Sequence, residues 1–269
     1  MDDGALQELK KGLEAVWSAG DYSFVAKGLE ASSQAFLQRH AIADGERVLD
    51  LACGTGQLAI PAARAGAAVT GLDLSEPWIE QAKARAAAEN LNIHFKVGDA
   101  EALPFDDGAF DLVISLIGVM FAPRPERAAA EMLRVCRSGG RIVLGNWTAE
   151  GFVGDFFGTV AKHAPPPDMP SPLLWGDEAS VRQRLSPGSA DISLQRMMLH
   201  FDYPLPPEAV VDHYLAHFGP TKLVAEALDG DARHALRKDL IALFEAANTA
   251  TDGTTQTPAE ILEVVATRA

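Results

Sequence analysis

Residues Val48 to Gln57 read VLDLACGTGQ, an apolar run carrying Asp50 near its end and then a turn with glycines at Gly54 and Gly56. The run has the composition of a buried parallel strand, and a turn without side chains at its carboxyl end lets backbone N–H groups approach a ligand closely. A helix is expected from near Leu58, and Pro61 is tolerable only close to its start. Two further carboxylates hold comparable positions. Asp73 closes a second apolar run, 67–72 (AAVTGL), where a carboxylate accepts from both hydroxyls of a vicinal diol. Asp99 follows a short strand expected over 93–97. Among groups that move protons near neutral pH, His163 lies in a loop beyond the strand 141–147 and is the candidate catalytic base; otherwise the catalytic residues are unknown. His200 falls in a strand and reads as structural. His213 and His217 have the i, i+4 spacing that shares one helix face, but no third ligand or HEXXH pattern accompanies them, so no metal is expected.

The glycine spacing separates two ligand classes. A dinucleotide turn wants G-x-G-x-x-G, with a third glycine for close packing of helix on strand. Here Ala52, Gly54 and Gly56 fall two apart, and Gln57, Leu58 and Ala59 follow without that glycine. Residues Asp50 to Gly56 instead resemble the D/E-x-G-x-G-x-G motif of class I S-adenosylmethionine-dependent methyltransferases, in the variant with alanine at the first glycine position.

The segments that follow extend the resemblance. Gly98-Asp99-Ala100-Glu101-Ala102-Leu103-Pro104-Phe105 is similar to the GDAxxLPF segment of that family. The strand 110–115, the helix 124–137, the turn Ser138-Gly139-Gly140 and the strand 141–147 match in order and spacing. The resemblance covers about residues 45 to 147, and the core most resembles the ubiquinone/menaquinone-biosynthesis (methyltransferase type 11/25) type. It implies S-adenosyl-L-methionine as cofactor and S-adenosyl-L-homocysteine as product. It also implies cofactor contacts from Asp50, Ala52, Gly54, Gly56, Gln57, Asp73 (ribose), Leu74, Trp78, Asp99 (adenine amino group), Ala100 (backbone N–H) and Ser115. Tyr22, Asn146 and Trp147 are the candidate acceptor-pocket residues. The activity implied is methyl transfer to a small molecule, at an O, C or N atom left open, with an aromatic or quinone-like acceptor as the fold-level analogy. Two alternatives stand beside it: a non-catalytic S-adenosylmethionine-binding regulator, and a nucleotide-dependent oxidoreductase.

The elements that must position these residues form an α/β fold, a Rossmann-like seven-stranded, mostly parallel sheet with helices on both faces and an inserted helical cap. Residues 1–44 carry helical spacing and are expected to lie over the cofactor site. Residues 45–147 form the S-adenosylmethionine-binding core. Residues 148–258 form a substrate cap containing a sheet strand at 192–203, and 259–269 supply the final strand. Within the cap, short helices are expected at 177–185, 206–218 and 231–247. The stretch 151–158 alternates glycine and phenylalanine, and 164–172 is a proline-rich extended loop.

Bulk composition narrows the partners. At 269 residues and 48 % hydrophobic, the chain can bury a full core. Its formal net charge of −14 argues against a nucleic-acid substrate, which needs a basic face to release counterions. Strand 110–115 also runs into Leu116-Ile117-Gly118 rather than the Asn/Asp-Pro-Pro-Tyr/Phe sequence of enzymes that methylate base nitrogens. The opening Met1-Asp2-Asp3-Gly4 shows no basic, then apolar, leader, and no run of about 18 apolar residues occurs. A cytoplasmic location without a membrane span is therefore expected, with Cys53 and Cys136 as small buried thiols. Oligomeric state is not indicated.

Overall fold

A computed structural model describes residues 3–269. Its strands are β1 (Arg47–Leu51), β2 (Ala68–Asp73), β3 (His94–Val97), β4 (Phe110–Leu116), β5 (Cys136–Trp147), β6 (Ser189–Tyr203) and β7 (Thr255–Arg268). They form one seven-stranded sheet in the order β3-β2-β1-β4-β5-β7-β6. The pairs β1–β2, β1–β4, β2–β3 and β4–β5 are parallel, and β7 runs antiparallel to β5. The expected Rossmann-like architecture is present, including the late strand, helical excursion and returning strand that complete the sheet. The order reverses at β1–β4, the switch point at which open α/β sheets leave a crevice beyond their strands' carboxyl ends.

The helices are α1 (Asp3–Ser18), α2 (Ser23–Gly28), α3 (Glu30–Gln38), α4 (Ala59–Arg64), α5 (Glu76–Ala88), α6 (Pro125–Val135), α7 (Phe152–Ala161), α8 (Glu178–Leu185), α9 (Pro207–His217), α10 (Gly219–Ala227) and α11 (Gly230–Ala247). The chain divides into two compact units. One comprises residues 31–149, 169–197 and 261–269, and the other 1–30, 150–168 and 198–260.

The first unit holds the parallel strands. β1 (RVLDL) is buried from its second residue onward, as a strand covered on both faces must be, and its apolar run answers that demand. In α6, Ala128, Ala129, Met132, Leu133 and Val135 are buried, while Pro125 opens the helix where its missing N–H costs nothing. One expectation needs correcting here. The helix ends at Val135, and residues 138–140 lie within β5 rather than in a turn before it. Phe110 pairs with Cys136 but Leu112 with Arg141, so the chain bulges between them. Gly139, at φ +69°, takes the left-handed conformation this needs.

The second unit is helical with an aromatic core. Phe152 and Phe156 of α7, one turn apart, meet Phe244 of α11 edge-on at 4.9 and 6.4 Å between ring centroids. The hydroxyls of Tyr203 and Tyr214, both buried, lie 2.8 Å apart in a hydrogen bond, and burial pushes both phenols above their ordinary pKa. At Gly20 an added Cβ would sit 1.9 Å from the His217 carbonyl oxygen, so only glycine fits there.

Candidate active site

At the carboxyl ends of β1 and β2 the turn after Leu51 is wound by three left-handed residues: Ala52 (φ +56°), Gly54 (+52°) and Gly56 (+87°). The Cys53 amide donates to the Leu72 carbonyl and the Gly56 amide to the Cys53 carbonyl. Asp50 is buried and accepts from the Ala59 amide at 2.8 Å, anchoring the start of α4 against the turn. Burial raises its pKa to about 7, with the Ala59 hydrogen bond opposing and the like charge of Asp73 adding to the shift.

Asp73 closes β2. Its Oδ2 accepts from the Gly54 amide at 2.8 Å and its Oδ1 from the Ser75 amide at 2.9 Å. Burial lifts its pKa, and these amides, together with that of Leu74, hold it back. Each oxygen has a second acceptor site, so the pair can still receive two hydroxyl donors. Thr55, at the turn's apex, is pinned by Arg85 of α5, whose Nη1 donates to its carbonyl at 2.8 Å and its hydroxyl at 3.0 Å; Gln57 Nε2 donates to the same hydroxyl at 2.8 Å. Neither Thr55 nor Arg85 is recognisable as a turn brace from sequence, because nothing local links positions thirty residues apart.

β4 ends beside this turn. The Ser115 hydroxyl donates to the Leu51 carbonyl at 2.6 Å and accepts from the Val119 amide at 3.1 Å, tying β4 to β1. Ile117 then takes φ +58°, an outlier for a β-branched residue, held by its amide on the Gly145 carbonyl at 2.8 Å. Strain of this kind concentrates at functional sites, and here it lies beside Ala52, itself left-handed. A Cβ on Gly118 would meet the Ala52 Cβ at 2.6 Å and its carbonyl at 2.7 Å.

Beyond β3, Asp99 accepts from the Glu101 amide at 2.8 Å, and Asp99 and Ala100 are partly exposed. Glu101 is buried and takes the Arg124 amide and Nε at 2.6 and 2.7 Å. Further along the same loop, Glu131 accepts the Leu103 amide at 2.7 Å. Arg134 donates to Glu131, Asp107 and the Leu103 and Phe105 carbonyls. The sequence reading missed this brace, although Glu131 and Arg134 stand at the i, i+3 spacing of a helical ion pair. Leu74 is half-buried after β2, and Trp78 of α5 is 4 % exposed.

At the end of β5, Asn146 is fully buried, and neither its amide nitrogen nor its carbonyl oxygen has a hydrogen-bond partner among the described residues. Trp147 is buried beside it, and its carbonyl packs so closely on Gly176 that a Cβ there would sit 2.1 Å away. Trp175, just before that glycine, is buried, and its indole N–H has no hydrogen-bond partner among the described residues. Among the sequence-derived residues, Asp50 to Gln57, Asp73 to Trp78, Asp99, Ala100, Ser115, Asn146 and Trp147 all belong to the sheet unit. Tyr22 and His163 belong to the helical one. Tyr22 packs against Trp17 and Phe218. His163 is only 12 % exposed and places Nε2 2.9 Å from Asp239 of α11, so it is not a solvent-facing loop histidine. His213 stacks on Phe24 with centroids 4.3 Å apart.

The sheet order, the left-handed turn and the acid at the end of the next strand lie together at the switch point of an open α/β sheet. A methyltransferase-domain family profile matches residues 48–140. An uncharacterized protein of Mycobacterium tuberculosis, Rv1405c, is 40 % identical over 210 residues, covering 77 % of each chain. A phosphatidylethanolamine N-methyltransferase of Cereibacter sphaeroides is 37 % identical over 134 residues, which is 48 % of this chain and 64 % of that protein. The YcgJ protein of Bacillus subtilis superposes with a TM-score of 0.60 at 19 % identity, covering 88 % of this chain and 98 % of its own. The chain belongs to the class I S-adenosylmethionine-dependent methyltransferases and is an enzyme of that family.

Proposed function

We propose that the chain binds S-adenosylmethionine at the carboxyl ends of β1, β2 and β4 and transfers its methyl group to a small aromatic or quinone-like acceptor. The reading rests on Asp73. Each of its oxygens already holds one backbone amide, Gly54 or Ser75, and keeps a second acceptor site for one hydroxyl of a ribose diol. The Ala52–Gly56 turn leaves its backbone clear for the amino-acid end of the ligand, with Asp50, Gln57 and Ser115 shaping its floor. Leu74 and Trp78 flank the adenine, Asp99 accepts from its amino group, and the Ala100 N–H meets the ring.

S-adenosylmethionine, when bound, supplies a sulfonium methyl that is already activated for in-line displacement. The protein's task is then alignment and exclusion of water, and proximity alone can contribute about 7 to 11 kcal/mol. Asn146 and Trp147 are the acceptor-pocket residues of this reading. Asn146 carries the polar contact, because a buried amide without partners is costly unless a ligand or water meets it. No side chain is assigned as general base; His163, paired with Asp239, is the residue to vary first. Similarity to an N-methyltransferase supports a second acceptor class, an amine. The test is a methyl-transfer screen with isotope-labelled S-adenosylmethionine over phenols, quinones and amines. Label transfer to a quinol or phenol supports the first reading, transfer confined to amines replaces it with the second, and transfer to no small molecule contradicts both.

A further inference from the structure

An open surface depression of about 570 Å³ lies at the opposite end of the strands from the proposed methyl-transfer site, at the amino ends of β4 and β5 and the last residues of β7. Its walls include Arg134, Arg137 and Arg268, with Asp107 as the one acidic side chain among them. Three guanidinium groups converging on a concavity are unexpected in a chain of net charge −14.

The charges there are unevenly matched. Arg134 is satisfied by Glu131 and Asp107. Arg137 gives Nε to Asp111 at 2.6 Å, but that carboxylate is shared with Arg47. Among the described residues, Arg268 gives Nε to the Leu133 carbonyl and Nη1 to the Gly188 carbonyl and to a main-chain oxygen of Ala269. The Nη2 groups of Arg137 and Arg268 carry no hydrogen bond among those residues. Ser138, in the β5 bulge, belongs to the same lining, and its carbonyl accepts from Arg137 Nη1 at 2.9 Å.

We propose that this depression binds the phosphoryl group of a small molecule, with Arg137 and Arg268 presenting their outstanding N–H donors to its oxygens. A phosphoryl dianion suits the site better than a single carboxylate, because its three oxygens can accept from the Nη2 groups of both arginines at once and it carries the larger negative charge. The carbonyls that fix Arg268 hold its fork in place before the ligand arrives.

The test is calorimetric titration of the full chain with inorganic phosphate and with pyrophosphate at low ionic strength, with acetate as the comparison. One saturable phosphate or pyrophosphate site is expected, weakened at least about tenfold in Arg268→Gln and in Ser138→Glu. Ser138→Glu leaves every arginine in place and decides the matter if Arg268→Gln does not fold. S-adenosylhomocysteine affinity of the folded variants should stay at the wild-type value. Absence of saturable binding to the wild-type protein, wild-type affinity in Ser138→Glu, or equal affinity for acetate would each overturn the proposal.

Discussion

Replacing Asp73 with alanine removes the acceptor of the Gly54 and Ser75 amides together with the proposed partner of the ribose hydroxyls. Asp73→Ala is expected to weaken S-adenosylhomocysteine binding by more than about tenfold while the protein remains folded by circular dichroism. Near-wild-type affinity would place the ribose elsewhere. Asn146 gives a prediction of opposite sign. Its amide is buried without hydrogen-bond partners among the described residues, so Asn146→Val, only slightly larger, apolar and suited to a strand, should leave the thermal midpoint unchanged or raise it. A loss of more than about 1 kcal/mol would mean that the amide is satisfied in solution by an ordered water. Residue types at this scale were readable where backbone conformation restricts them. Gly54 and Gly56 announce a left-handed turn, and Asp73 announces itself by ending an apolar strand. Arg85, Glu101 and Arg124 announce nothing, since their partners lie 23 to 30 residues away and the contacts form only once the strands are in register.

Between elements, Arg134 fastens the loop after Asp99 to α6 through two carbonyls and two carboxylates. Arg134→Ala would leave the buried Glu131 with only the Leu103 amide and the more distant Arg127 at 3.8 Å, and should cost about 1 to 2 kcal/mol in urea unfolding. A change under about 0.5 kcal/mol would show the loop to be held by other contacts. Gly118→Ala should act at a distance. A methyl group there would meet Ala52, so the turn must shift, and S-adenosylhomocysteine affinity should fall more than stability does; the reverse order would count against the turn as the binding element. The parallel strands were legible because both faces are buried and their apolar runs are nearly unbroken. α7 was not, because Gly154 and Gly158 obscure the stripe formed by Val153 and Phe156. α10 was hidden by Gly219-Pro220, which reads as a break although proline in a first helical turn is favourable. β5 was read too short because the bulge around Gly139 looks like a turn when its pairing with Phe110 is unknown.

For the molecule as a whole, the buried carboxyl of Asp50 couples stability to pH. A carboxyl whose folded pKa lies above its unfolded value holds an extra proton in the folded state between the two, so its contribution to stability falls as pH rises. For Asp50 that window runs from 3.8 to about 7, and the raised pKa of Asp73 adds in the same direction. Ligand-free protein is therefore expected to lose thermal stability between pH 5 and 7 from these groups, and Asp50→Asn should flatten the slope. An unchanged slope in the variant would assign it to other groups. The net charge of −14, read from composition alone, argues against nucleic-acid partners. No helix among the described residues is long and apolar enough to cross a membrane. The central claim is that the β1–β2 turn is an adenosylmethionine site, and calorimetric titration of the purified protein with S-adenosylhomocysteine, with NAD in parallel, tests it most directly. The account predicts micromolar binding of S-adenosylhomocysteine and none of NAD; tight NAD binding, or no binding of S-adenosylhomocysteine, would contradict it.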